Sequence, residues 1–167
     1  MTSTLPPPPD TSDADATFVP PPAPVVAAPF EQLGLVAPVL ANLARLGYHT
    51  MTPIQAASLP LALAGNDLIA QAKTGSGKTA AFGLALLNRL NTSRFAVQAM
   101  VLCPTRELAD QVTQEIRRLA RFEENIKVLS LVGGSTLRNQ ANSLENGVHI
   151  VVGTPGRIMD HMERGYL

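Results

Sequence analysis

The sequence is poor in the features that most often announce a function. It has one cysteine, no tryptophan, few aromatic residues and a formal net charge of zero at neutral pH. A single cysteine, Cys103, rules out an internal disulfide framework and fits a reducing compartment. It sits in the apolar stretch "AMVLCP", so a buried thiol is expected there rather than a nucleophile. No run of about 18 apolar residues occurs, so no membrane-spanning helix is expected. No basic, hydrophobic, cleavable stretch opens the chain, so no secretory signal is expected either. These absences lead us to expect a soluble, cytoplasmic protein. The zero charge hides an asymmetry. Residues 1–29 carry Asp10, Asp13 and Asp15 and no Lys or Arg, for −3; residues 30–167 carry 13 basic and 10 acidic residues, for +3. So small an excess does not by itself point to nucleic acid.

What is present changes along the chain. Nine of the 14 prolines fall in residues 1–29, in "LPPPPD" and "PPPAPVVAAP". Such a segment buries too little apolar surface to offset its ordering entropy, so a disordered leader with extended polyproline character is expected over 1–29. From Phe30 onward the pattern is that of a globular domain, 30–167. "VAPVLANLARLG" has helical spacing and Gly47 to end it. "TPIQAASLPLALAG" restarts a helix, with Thr52 as cap, Pro53 at the first position and Gly65 at the end. "DLIAQ", "AMVLC", "KVLSLV" and "HIVVG" read as four strands, each followed by a helical stretch. Strands so uniformly apolar, alternating with helices, predict an α/β fold with a parallel sheet covered on both faces. Ligands of such sheets sit at the carboxyl ends of the strands. Those ends carry "KTGSGKT", "PTREL", "GG" and "TPGR", so all four motifs are expected along one rim.

"AKTGSGKT", residues 72–79, fits a phosphate cradle. Gly75 and Gly77 permit backbone conformations closed to other residues, and the following helix points its free N–H groups at an anion. Lys78 would reach the β- and γ-phosphates, and the Thr79 hydroxyl would hold Mg²⁺. The pattern has glycine where this chain has Ala72; a methyl group is tolerated there if φ is negative. Upstream, the Gln55 carboxamide can donate and accept side by side, as the adenine edge requires, and the Phe30 ring could stack on a base. Taken alone, each is more readily a plain residue, Gln55 on a helix surface and Phe30 in the core.

The set "F…GYHTMTPIQ", "AKTGSGKT", "PTRELA", "GG" and "TPGR", in this order, resembles the N-terminal RecA-like domain of DEAD-box ATP-dependent RNA helicases. The resemblance covers residues 30–167, and "QAKTGSGKTAAFGLALL" and "VLCPTRELADQV" are most similar to the DbpA branch. It implies a P-loop RecA-like three-layer sandwich with a mainly parallel, incomplete sheet. It implies ATP and Mg²⁺ as ligands and RNA as partner, for a monomeric enzyme whose branch acts on ribosomal RNA. Phe30, Thr52, Pro53 and Gln55 correspond to the Q motif. Ala72, Lys73, Thr74, Gly75, Ser76, Gly77, Lys78 and Thr79 correspond to motif I. Pro104, Thr105 and Arg106, Gly133 and Gly134, and Thr154, Pro155, Gly156 and Arg157 correspond to three motifs that contact the RNA backbone. Thr105 and Thr154 are also expected helix caps, and Arg106 and Arg157 add charge-assisted bonds to phosphate.

No D-E-A-D sequence follows "HMERGYL". The family's acidic motif and its second domain supply the groups that orient water and neutralise the transferring phosphate, and one arginine there is worth on the order of 10³–10⁵ in rate. These 167 residues therefore read as part of a longer helicase and are expected to hydrolyse ATP negligibly alone. Two other classes fit parts of the pattern. One is a nucleotide-dependent RNA-binding module without turnover. The other is a P-loop small-molecule kinase, which has no need for a row of phosphate-binding loops.

Overall fold

Alternation along one central strand sets the layers. A computed structural model of the protein describes residues 28–167. Its sheet has three parallel strands, β1 (Ala99–Leu102), β2 (Val128–Leu131) and β3 (Ile150–Gly153), in the order β1-β3-β2. All four residues of β3 are buried. Ile150 and Val152 turn to one face, into a core built with helices α1 (Ala37–Arg45), α2 (Pro53–Ala64), α3 (Lys78–Asn88) and α4 (Arg106–Leu119). Val151 turns to the other, against Leu131, Val148 and Ile158, with Leu144 alongside. Those last two residues belong to α6 (Pro155–Glu163) and α5 (Leu137–Glu145) respectively. A period of two along β3 thus seals both helical layers at once. Each buried Ile or Val contributes roughly 1.5–3 kcal/mol.

The helices begin and end where local chemistry directs. The Thr52 side chain accepts the Gln55 N–H while the Gln55 side chain accepts the Thr52 N–H, a reciprocal cap for α2. Pro53 occupies its first turn and Gly65, at φ +95°, ends it. Helix α4 buries Ala109, Val112, Thr113, Ile116 and Leu119, a stripe at helical spacing. Its last carbonyls are met from α1: Asn42 Nδ2 donates to Arg118 O at 3.1 Å and to Leu119 O at 2.9 Å. Nothing in the sequence reading anticipated that role for Asn42.

Two expectations need correction. The leader expected over 1–29 lies outside the described residues except for Ala28 and Pro29, and these two are held. Pro29 forms an antiparallel bridge with Thr50, and Ala28 O accepts the Met51 N–H at 2.8 Å. The second concerns "DLIAQ". Residues 67–71 form no strand, and Ile69 is fully exposed. The segment is separated from β1 by an apolar groove of about 440 Å³ lined by Leu68, Ala70, Phe82, Val101 and Leu102. Without a neighbour supplying a ladder of hydrogen bonds, apolar content alone does not make a strand.

Candidate functional site

The strand register puts the candidate loops on one rim. Leu102 and Leu131 both pair with Gly153, so the segments after β1, β2 and β3 leave the sheet at the same level and in the same direction. The glycine loop joins them there. Lys78 and Thr79 line the same groove as Leu102, Cys103 and Leu108, at the carboxyl end of β1. Lys78 and Arg157 therefore lie at the same end of the strands, as the sequence requires of a shared site.

Gly75 has φ +79° and Gly77 φ +89°, both in the left-handed region. No residue other than glycine has positive φ among the described residues, so Ala72 sits where its methyl group costs little. Gly77 occupies the N-cap of α3 and brings no capping side chain, which leaves the first-turn N–H groups directed into the loop. The Lys78 ammonium donates to the carbonyls of Ala72 and Lys73, the latter at 2.7 Å. A groove of about 520 Å³ runs along Thr74, Gly75, Lys78 and Thr79, with Tyr48 and Glu115 also on its wall. The Tyr48 hydroxyl donates to Glu115 at 2.6 Å. Burial first, then that bond, push the phenol up to about 12. Glu115 also accepts from Arg118 at 3.0 Å.

The upstream residues are stitched to this loop. Gln55 is fully buried; its Oε1 accepts the Thr52 N–H at 2.9 Å and its Nε2 donates to Gly77 O at 3.1 Å. Thr52 Oγ1 donates to Ser76 O at 2.8 Å. A side chain at Gly77 would collide with the Gln55 carboxamide. The amide that the sequence set against adenine thus bonds within the protein at both ends, its oxygen at the start of α2 and its nitrogen on the turn that precedes Lys78. Phe30 departs from expectation more simply. It is buried at 2% exposure and meets Tyr48 edge-on, centroids 6.3 Å apart at 87°, which leaves no ring face for a base. The pairing of Ala28 and Pro29 with the 50–51 segment draws it into the core.

Along the rest of the rim the arginines touch the neighbouring loop. The Arg106 guanidinium lies across Gly133, where a Cβ would come within 2.6 Å of Nη2. A side chain there would oblige the guanidinium to move aside. Arg157 Nη1 donates to Ser135 O at 3.1 Å and to Gln140 Oε1 at 2.8 Å. Thr105 caps α4 by accepting the Leu108 N–H at 3.2 Å. Thr154 takes the N-cap position of α6 without a side-chain bond, ahead of Pro155. Pro104, Gly134, Pro155 and Gly156 are exposed on the same loops. The sequence reading missed Ser135, Gln140 and His161, which join two of these loops. A glutamine and a histidine on the inward sides of short amphipathic helices were the only signals.

Residues 52–167 match the DEAD/DEAH box helicase family. This chain belongs to that family. It is 58% identical over 137 residues to ATP-dependent RNA helicase DbpA of Escherichia coli, covering 81% of this chain and 30% of that protein. It is 45% identical over 138 residues to DEAD-box ATP-dependent RNA helicase CshA of Geobacillus kaustophilus, covering 83% and 29%. The chain thus spans about a third of the length of these relatives. Among solved structures, a DEAD box protein from Methanococcus jannaschii superposes with a TM-score of 0.78 at 41% identity, covering 83% of this chain and 38% of that one. Saccharomyces cerevisiae Dbp5, solved bound to RNA and ADP BeF3, superposes at 0.74 with 33% identity, covering 84% and 35%. The fold is that of a helicase RecA-like domain.

Proposed function

We propose that these residues are the nucleotide-binding and RNA-facing part of an ATP-dependent RNA helicase. The parent protein would hydrolyse ATP to separate short RNA duplexes locally. The observation that carries this reading is the shared rim: a glycine loop opening α3 beside three loops that present Arg106, Gly133–Gly134 and Arg157. The N–H groups of residues 73–79 and the Lys78 ammonium hold the triphosphate, the ammonium giving up its bonds to Ala72 and Lys73. No group of three or more His, Cys, Asp or Glu gathers among the described residues, so Thr79 would hold Mg²⁺ together with phosphate and water oxygens. Bound there, the ion would neutralise charge on the β- and γ-phosphates. Gln55 and Thr52 serve the nucleotide by fixing the Ser76–Gly77 turn, and Pro53 starts the helix that carries Gln55.

Pro104, Thr105 and Arg106, Gly133 and Gly134, and Thr154 to Arg157 contact the RNA backbone without reading sequence. Ribosomal RNA precursor as target, action as a monomer and a cytoplasmic setting complete the proposal; the target rests on the similarity to DbpA alone.

Anisotropy of a labelled single-stranded oligouridylate tests this. Binding should weaken with salt, and Arg157→Ala should lower the salt slope by about one. Lys78→Ala should abolish binding of MgATP. Salt-insensitive or absent RNA binding, with MgATP binding intact, would return the small-molecule kinase. A binding module without turnover describes these 167 residues taken alone. Among the described residues, Glu115 is the one carboxylate on the wall of the glycine-loop groove, and it is engaged by Tyr48 and Arg118. RNA-stimulated ATP hydrolysis by this chain, lost on Lys78→Ala, would contradict that.

A further inference from the structure

Two loops of the rim are joined beneath the surface by a glutamine and a histidine that no motif of the family reading includes. Gln140, on α5, is 5% exposed and uses every hydrogen-bonding site it has. Its Nε2 donates to Val132 O at 3.0 Å and to Ser135 Oγ at 2.6 Å. Its Oε1 accepts from Arg157 Nη1 at 2.8 Å and is 2.9 Å from His161 Nε2. Arginine can only donate, so the carboxamide must present its oxygen to Arg157. The imidazole facing the same oxygen must then donate from Nε2, and a proton on Nδ1 as well would be a buried donor with no acceptor. Nδ1 is buried and has no partner among the described residues. The network is therefore satisfied with His161 neutral and in one tautomer. Arg157 Nη1 also reaches Ser135 O, and Arg106 lies on Gly133 of the same turn.

We propose that Gln140 and His161 are positioning residues for the RNA-facing rim, tying the Gly133–Gly134 turn to Arg157 so that the two phosphate-binding loops hold one spacing. This rests on the reading of that rim as an RNA site. Without the carboxamide, the turn loses its two anchors and Arg157 loses its best acceptor. The arginine then keeps only Ser135 O and the exposed Asp160, 3.6 Å from its Nε. Burial, then the Arg157 charge, hold the His161 imidazole below its usual titration range, Arg164 acting in the same direction and Asp160 against it. The Tyr166 ring meets the imidazole edge-on, 6.0 Å away.

The test uses the 167-residue chain, a labelled oligouridylate, MgATP and ¹⁵N signals of the His161 ring. Gln140→Leu should weaken oligouridylate binding about tenfold, the size of one lost charge-assisted bond, with MgATP binding unchanged. In an Arg157→Ala background the same change should add almost nothing, since the two act as a unit. A merely structural role would lower MgATP binding too and add to Arg157→Ala; either result overturns the inference. Gln140→Glu keeps an oxygen facing Arg157 and His161, gives up the bond that Nε2 donates to Val132 O, and places a carboxylate on the imidazole, so the His161 titration should rise by about one to three pH units. An unmoved titration, or a proton on Nδ1 in the unsubstituted chain, also overturns it, whether or not Gln140→Leu folds. If Arg157→Ala itself leaves oligouridylate binding intact, the RNA reading of the rim fails first. If Arg157→Ala weakens binding and Gln140→Leu does not, only the positioning role fails.

Discussion

Gln55 and Gln140 show how much depends on single carboxamides. Each is buried and each spans two segments, so each reports on a loop rather than on itself. Gln55→Ala leaves the Gly77 carbonyl and the Thr52 N–H without partners, and it should weaken ATP and GTP binding alike, by about tenfold. Competition against a fluorescent nucleotide measures both; a loss confined to ATP would mean that the amide leaves the loop to read adenine. His161 adds a pH dependence. In the unfolded chain the imidazole titrates near 6.5, and in the folded chain it takes its proton only at lower pH. Its contribution is therefore full above the unfolded value and is lost as pH falls through the folded one. Thermal melts between neutral pH and pH 5 should show a shallower decline for His161→Asn than for the unsubstituted chain; parallel declines would count against a buried neutral imidazole.

Helix ends were legible in the sequence because they obey local rules. Thr52–Pro53, Gly65, Gly47 and Thr105 all act within a few residues of themselves, and the structure uses each as expected. Thr105→Ala should cost about 1 kcal/mol in denaturant melts, whereas Thr154→Ala, whose side chain caps nothing, should cost less. Long-range partners were not legible. Asn42 meets a helix end 76 and 77 residues away, and no local pattern marks it. The segment 67–71 was misread for a related reason, because its apolar residues look like a strand while strandedness depends on a neighbour. That leaves Met100 and Leu102 of β1 exposed, with Leu68 in the same groove. An open, apolar edge invites pairing with another chain. Leu102→Lys should suppress concentration-dependent self-association in light scattering, and an unchanged profile would show that the edge is not the sticky surface.

At the scale of the molecule, one strand joins the halves of the fold to the halves of the proposed function. Strand β3 seals both cores and delivers Thr154–Arg157 to the rim. Ile150→Ala should cost about 2–5 kcal/mol in the same melts, with nucleotide and RNA binding lost together. The placement of the motifs along one edge was legible because parallel strands must deliver their carboxyl ends together. The spacing between the loops was not, since Gln140 and His161 set it from residues without a motif. The most direct measurement is ¹⁵N–¹H mapping of the chain with MgATP and, separately, with oligouridylate. MgATP should shift Gly75, Gly77, Lys78 and Thr79, and the RNA should shift Arg106, Gly133, Gly134 and Arg157 on the adjoining loops. Oligouridylate shifts centred instead on Lys127 and His149, at the opposite ends of the strands, would contradict a common rim for the two ligands.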